Sequence, residues 1–223
     1  MEEIFILENK VSFSLVFFYI KNTIFVKKMY NMLTEEIKIK NLATFKRYLK
    51  NLIGENCLQI LLDSLGGDEK IMNTSFGMND SSGLAYDGAM IEQSLKIGEY
   101  ATSINELLPK EKQVEPFKIW KVSLLSHISK VIMYTVNTDN WSKNNRGIKY
   151  VFTHNSNVVL KGGELSSLLV MNAGIKLSDD EYEAIRIIDK IKEDDSSARW
   201  GSCTLSMIIR QANEIITNIN RVD

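Results

Sequence analysis

Gly88-Ala89-Met90-Ile91-Glu92-Gln93-Ser94-Leu95-Lys96-Ile97-Gly98-Glu99-Tyr100-Ala101-Thr102-Ser103-Ile104 sets Ile91, Leu95, Ile97, Tyr100, Ala101 and Ile104 at mostly helical spacing. That spacing gathers apolar side chains on one face and predicts a helix over 88–108, stopped by Pro109. Residues 114–134 repeat the pattern through Ile119, Trp120, Val122, Leu125, Ile128 and Ile132. Two long helices with broad apolar faces must bury them, so this pair is expected at the centre of a helical core.

The flanking segments extend the same reading. Thr34 reads as an N-cap with Glu35 and Glu36 in the first turn, starting a helix over 34–52. A shorter helix over 56–65 should end at Gly66-Gly67, and 68–87 reads as a polar, glycine-punctuated loop. Residues 134–137 and 149–153 are strand-like and flank 139–147, which predicts a β-hairpin. Helices follow over 164–171, 178–191 (Ser178 as N-cap) and 204–219. The expected fold is therefore mainly α, a helical bundle with a small β-hairpin insertion.

Residues 1–31 read differently. Ile4-Phe5-Ile6-Leu7, the run 11–20 and the run 23–26 alternate with polar turn candidates, giving a β-rich N-terminal extension to a 32–223 helical domain. Met32-Leu33-Thr34 would itself make a natural beginning. The uninterrupted apolar run ending at Ile20 is too short for a bilayer and Lys21 breaks it, while Glu2 and Glu3 stand where a signal peptide carries positive charge. A cytoplasmic protein with no membrane contact is expected.

Composition narrows the chemistry. The chain has 223 residues, is 44% hydrophobic and 25% charged, and carries a net charge of -1, which offers no global attraction for a polyanion. Its 2 cysteines, Cys57 and Cys203, have no metal-type spacing and suit a reducing compartment. With only 2 histidines, His127 and His154, few transition-metal sites can be built.

Several segments resemble the small, phage-type branch of the HD-superfamily phosphohydrolases. Tyr86-Asp87-Gly88-Ala89-Met90-Ile91-Glu92-Gln93-Ser94-Leu95 is similar to that family's Gly-Gly-Leu-x-Glu-His-Ser-Leu helix start. Leu124-Leu125-Ser126-His127-Ile128-Ser129-Lys130, with Tyr134 after it, resembles Leu-Leu-His-Asp-x-x-Lys and its following tyrosine. Lys161-Gly162-Gly163-Glu164-Leu165-Ser166 is similar to the Gly-His-Gly-Glu-Lys-Ser turn, and 177–188 to the Leu-Thr-x-Glu-Glu and Ala-Ile-Arg-x-His helix. Ala212-Asn213 falls where the family has Ala-Asp. The resemblance implies an HD-like bundle whose core helices converge on divalent metal.

The departures matter more than the matches. Gln93 stands at the first expected histidine, Ser126 and His127 at the His-Asp pair, Gly162 at the turn histidine, Ile188 at the helix histidine and Asn213 at the last aspartate. Amide carbonyls are weak neutral donors, a serine hydroxyl keeps its proton at neutral pH, and Gly and Ile offer no side-chain ligand. No metal and no cofactor are expected there. A shifted site using His127 with Asp87, Glu92 or His154 has no supporting local spacing, and His127 reads more simply as a partly buried helix residue hydrogen-bonded to a neighbour.

The resemblance thus implies a catalytically inactive HD-like protein. Lys130 and Arg186 could hold a phosphate and Tyr134 or Tyr150 stack on a base, so a nucleotide or RNA ligand is one expectation. A host protein or ribonucleoprotein is the other. Lys27, Lys28, Lys46 and Arg47 are candidate basic contacts, Phe17 and Tyr19 candidate dry ones, and Asp179-Asp180-Glu181 with Glu183 and Glu193-Asp194-Asp195 a candidate acidic face. The family's setting implies a phage or mobile-element inhibitor of a host nucleic-acid-targeting defence system; the rival functions are a nucleotide sponge and a residual phosphohydrolase.

Overall fold

A computed structural model describes residues 33–153, 160–188 and 203–221, and the unit it defines begins at Thr34. Helix α1, Glu35–Ile53, starts as expected: the Thr34 hydroxyl accepts the Ile37 N–H at 3.4 Å, and Leu42, Phe45 and Leu49 form its buried stripe. Helix α2, Glu55–Leu65, buries Leu58, Leu61, Leu62 and Leu65 and ends at Gly66 in the left-handed conformation, φ 94°. The expected loop 68–87 is not structureless. It opens with a short helix α3, Asp68–Met72, and holds a 3-10 turn, Asp80–Ser82.

Helix α4, Ala89–Glu106, and helix α5, Pro116–Leu125, pack together at the centre, and a later helix, α10, Thr204–Asn220, packs against both. The α4–α5 approach is close because Gly98 has no side chain: a Cβ there would lie 2.5 Å from Cζ3 of Trp120. Trp120 in turn leans on Tyr48 of α1 at 4.9 Å between ring centroids, tying three helices together.

The single helix expected over 114–134 is corrected. It starts only at Pro116, ends at Leu125, and resumes as α6, Lys130–Met133. The Ser126 hydroxyl folds back onto the Val122 carbonyl at 2.5 Å, and Ile128, Lys130 and Val131 then bond three residues back, to Leu125, His127 and Ile128. Such tightening is how a helix turns a corner without orphaning its amides. Every residue from Lys121 to Ser129 is buried, so this corner is the core of the domain.

Strand β1, Tyr134–Val136, pairs antiparallel with β2, Tyr150–Phe152, in the register Tyr134↔Phe152, Thr135↔Val151, Val136↔Tyr150. The hairpin is present, but its connection is helical: α7, Asn140–Arg146, is capped by the Asp139 carboxylate, which accepts from Trp141 and Ser142 N–H. Helix α8, Gly162–Asn172, begins two residues earlier than expected. Helix α9, Asp179–Arg186, is followed by a turn at Ile187-Ile188, beyond which the expected helix leaves the described residues. The β-rich reading of 1–31 likewise lies outside them. No helix among the described residues is long and apolar enough to cross a membrane.

Candidate functional site

Gln93, in the second turn of α4, is fully buried. Its Nε2 donates to the Tyr86 hydroxyl at 2.8 Å, that hydroxyl donates to Glu92 Oε2 at 2.5 Å, and Lys96 Nζ reaches Glu92 Oε1 at 2.5 Å. Burial, reinforced by the Glu92 carboxylate, holds the Tyr86 phenol far above its ordinary pKa. The carboxylate nearest Gln93 is therefore engaged by a neutral phenol and an ammonium. Among the described residues Gln93 Oε1 is buried without a hydrogen-bond partner, as is Oδ1 of Asn213 on α10.

The remaining positions follow suit. Ser126 is engaged with Val122, and His127, 2% exposed, meets the Phe76 ring edge-on at 4.6 Å. Ile188 is buried. Gly162 opens α8, whose next residue, Gly163, packs so tightly that a Cβ would lie 2.4 Å from the Ile185 carbonyl oxygen. Among the described residues no group of three or more His, Cys, Asp or Glu is placed to hold a metal ion. Neutral amides, an engaged hydroxyl, glycine and isoleucine do not fit a dication, which leaves the His127 imidazole as the one strong donor among these six positions. His154, invoked in the shifted arrangement, lies outside the described residues.

The ligand candidates divide. Lys130, the first residue of α6, has its ammonium 4.7 Å from the Phe76 ring centroid and 5.0 Å from that of Tyr134, and 3.4 Å from the Tyr134 hydroxyl. Tyr134 meets Phe152 across the hairpin at 5.4 Å. Tyr150 is 7% exposed and donates to Asp87 Oδ1 at 2.6 Å; burial first, then that carboxylate, pushes its phenol up. Tyr134 and Tyr150 line one open cleft of about 330 Å³, with Lys70, Asn73, Thr74 and Ser75 among its other walls. Arg186 is placed elsewhere, at the end of α9, where its carbonyl oxygen would lie 2.6 Å from a Gly163 Cβ.

The surface candidates are partly occupied. Lys46 is paired with Asp68 at 2.7 Å, and Arg47 lies 5.4 Å from the Tyr48 ring centroid. Lys27, Lys28, Phe17 and Tyr19 lie outside the described residues. On the acidic side, Asp180 pairs with Lys118 at 2.8 Å, Glu181 with the buried Lys121 at 2.8 Å, and Glu183 accepts from the Cys203 N–H and the Ser206 hydroxyl. For Glu183, burial alone would raise the pKa; the hydrogen bonds from Cys203 and Ser206 outweigh it and hold the carboxyl below its ordinary range. Asp180, Glu181 and Glu183 are thus engaged inside the fold, while Glu193, Asp194 and Asp195 lie outside the described residues.

Sequence reasoning missed two of the partners, Phe76 and Lys121, and named Asp87 only as a ligand of a shifted metal site, not as the acceptor for Tyr150. Only Lys121 carried a signal, as a cation on an otherwise apolar helix. No family model, no curated protein and no solved structure matches this chain.

Proposed function

We propose that this chain is an HD-like helical scaffold that acts by binding rather than by catalysis, as a cytoplasmic phage or mobile-element inhibitor of a host nucleic-acid-targeting defence complex. One observation carries the binding half: weak or absent donors stand at five of the six positions where the resemblance expects metal ligands, His127 being the sixth, with Gln93 and Ser126 engaged by Tyr86 and Val122. The inhibitor half rests on the setting of the resembled family. Affinity capture by the full chain from cells expressing candidate defence nucleases tests it, together with elemental analysis of the purified protein. The expected result is a nuclease complex recovered with no stoichiometric metal. Stoichiometric metal with EDTA-sensitive phosphodiester cleavage would overturn it.

A nucleotide or RNA sponge is the second reading, favoured by Lys130 and Tyr134 beside the cleft. It requires saturable heat on titration with a nucleotide or short oligonucleotide, weakened by Lys130→Ala.

A further inference from the structure

Trp141, in the first turn of α7, is held in place yet turned to water, 59% exposed. Its N–H is bound by Asp139 Oδ1 at 3.0 Å and its carbonyl accepts from Asn145 Nδ2 at 2.9 Å. The Arg146 guanidinium lies over its ring, 5.0 Å from the centroid. A fixed indole with a cation against it and more than half of its surface in water is a ready stacking platform.

The charge around this platform is uneven. Residues 126–153 carry Lys130, Lys143, Arg146 and Lys149 against Asp139 alone, in a chain whose net charge is -1. The carboxylates bonded to this segment are committed: Asp139 caps α7 through the Trp141 and Ser142 N–H, Asp80 pairs with Lys149 at 2.6 Å, and Asp87 takes the Tyr150 hydroxyl. With Asp80 and Asp87 counted in full, the cations stay one ahead, and at the cleft beside β1 Lys70 and Glu69 cancel. Among the described residues Lys130, Lys143 and Arg146 form no ion pair. Two of these three rest on rings instead, Arg146 on Trp141 and Lys130 on Phe76 and Tyr134.

We propose that α7 binds single-stranded nucleic acid, with a base stacked on Trp141 and the adjoining phosphates met by Arg146 and Lys143. A stacked base with its phosphates uses the ring and the unpaired cations together. An acidic peptide would use the cations and leave the indole in water, and a duplex keeps its bases stacked on one another. The proposal rests on the sponge reading above only in taking a nucleic acid as the ligand, and it moves the contact from the cleft to α7.

The test titrates the full chain into labelled oligouridylate and oligothymidylate of about ten nucleotides, a duplex of the same length and a labelled polyglutamate, read by fluorescence polarisation at several salt concentrations. Saturable binding of oligouridylate or oligothymidylate, tighter than that of the duplex and of polyglutamate, is expected. Trp141→Ala should weaken it about tenfold, and Trp141→Phe far less, because a smaller ring still stacks. Arg146→Gln and Lys143→Gln should each flatten the logarithmic salt dependence by about 0.7, the share of one phosphate contact. Independently of any variant's folding, the Trp141 indole proton resonance should shift when oligouridylate is added to the unaltered protein. No saturable binding of either single strand, a preference for duplex or polyglutamate, or an unmoved Trp141 resonance overturns the proposal. Binding kept by folded Trp141→Ala protein and lost in Lys130→Ala overturns α7 as the site and leaves the sponge reading at the cleft standing; the opposite pattern supports α7 and removes the cleft.

Discussion

Replacing Glu181 with Gln keeps its shape and removes its charge, which isolates the contribution of the ion pair between α5 and α9. The Lys121 ammonium lies 2.8 Å from Glu181 Oε2 and 2.8 Å from the Lys176 carbonyl, and the two side chains are 11% and 3% exposed. Breaking a pair this deep strands a charge away from water, which costs about 3–5 kcal/mol. Gln can still accept from Lys121, and Lys176 keeps its bond, so the loss for Glu181→Gln falls near the lower end, about 3 kcal/mol. Lys121→Met leaves the carboxylate, among the described residues, with the Ser178 N–H at 2.9 Å as its hydrogen-bond donor and should cost about 4 kcal/mol. The double variant should lose less than the sum of the singles by about 2 kcal/mol, because neither charge is then stranded. Urea denaturation followed by circular dichroism gives all three values; for a domain this size about 3 kcal/mol is a melting shift of about 6–12 °C. Single losses under about 1 kcal/mol, or strict additivity in the double, would refute the reasoning.

Gly98→Ala gains about 1 kcal/mol of helix propensity but drives a methyl to 2.5 Å from Trp120, and the ring cannot retreat without disturbing Tyr48, so a net loss of about 1–2 kcal/mol and altered tryptophan fluorescence are expected. Glu183 has its carboxyl held below the ordinary value of 4.5, so its contribution is present above that pH and lost as pH falls through the lower folded value. Glu183→Gln should accordingly lose stability at neutral pH and show a shallower acid-unfolding profile than the parent. Tyr150→Phe removes a 2.6 Å bond to the exposed Asp87, whose carboxylate can turn to water, and should cost only about 1 kcal/mol by denaturant titration.

Local signals explain which elements could be read in advance. Thr34, Gly66 and Asp139 act within a turn of their own residue, as an N-cap, a helix stop and a second N-cap, and the apolar stripe of α4 repeats over many residues. Asp139 reads equally as part of a hairpin connection, because its chemistry suits a turn and a cap alike. The corner at Ser126 was hidden for a different reason. With every residue from Lys121 to Ser129 buried there is no polar face to lose register, so periodicity carries no mark of where the helix ends.

The same division holds for function. Residue identity alone places weak or absent donors at five of the six positions that resemble metal ligands, His127 being the exception, because donor chemistry belongs to the side chain itself. Only the tertiary structure decided what those residues do instead: Tyr86 and Glu92 engage Gln93, and Lys121 meets Glu181 across 60 residues of chain. It also decided that Lys149 is taken by Asp80 while Lys143 and Arg146 form no ion pair among the described residues. Hydrogen-bond partners and ion pairs are properties of which segments meet. They depend on burial and orientation set by distant parts of the chain, and no local pattern encodes them.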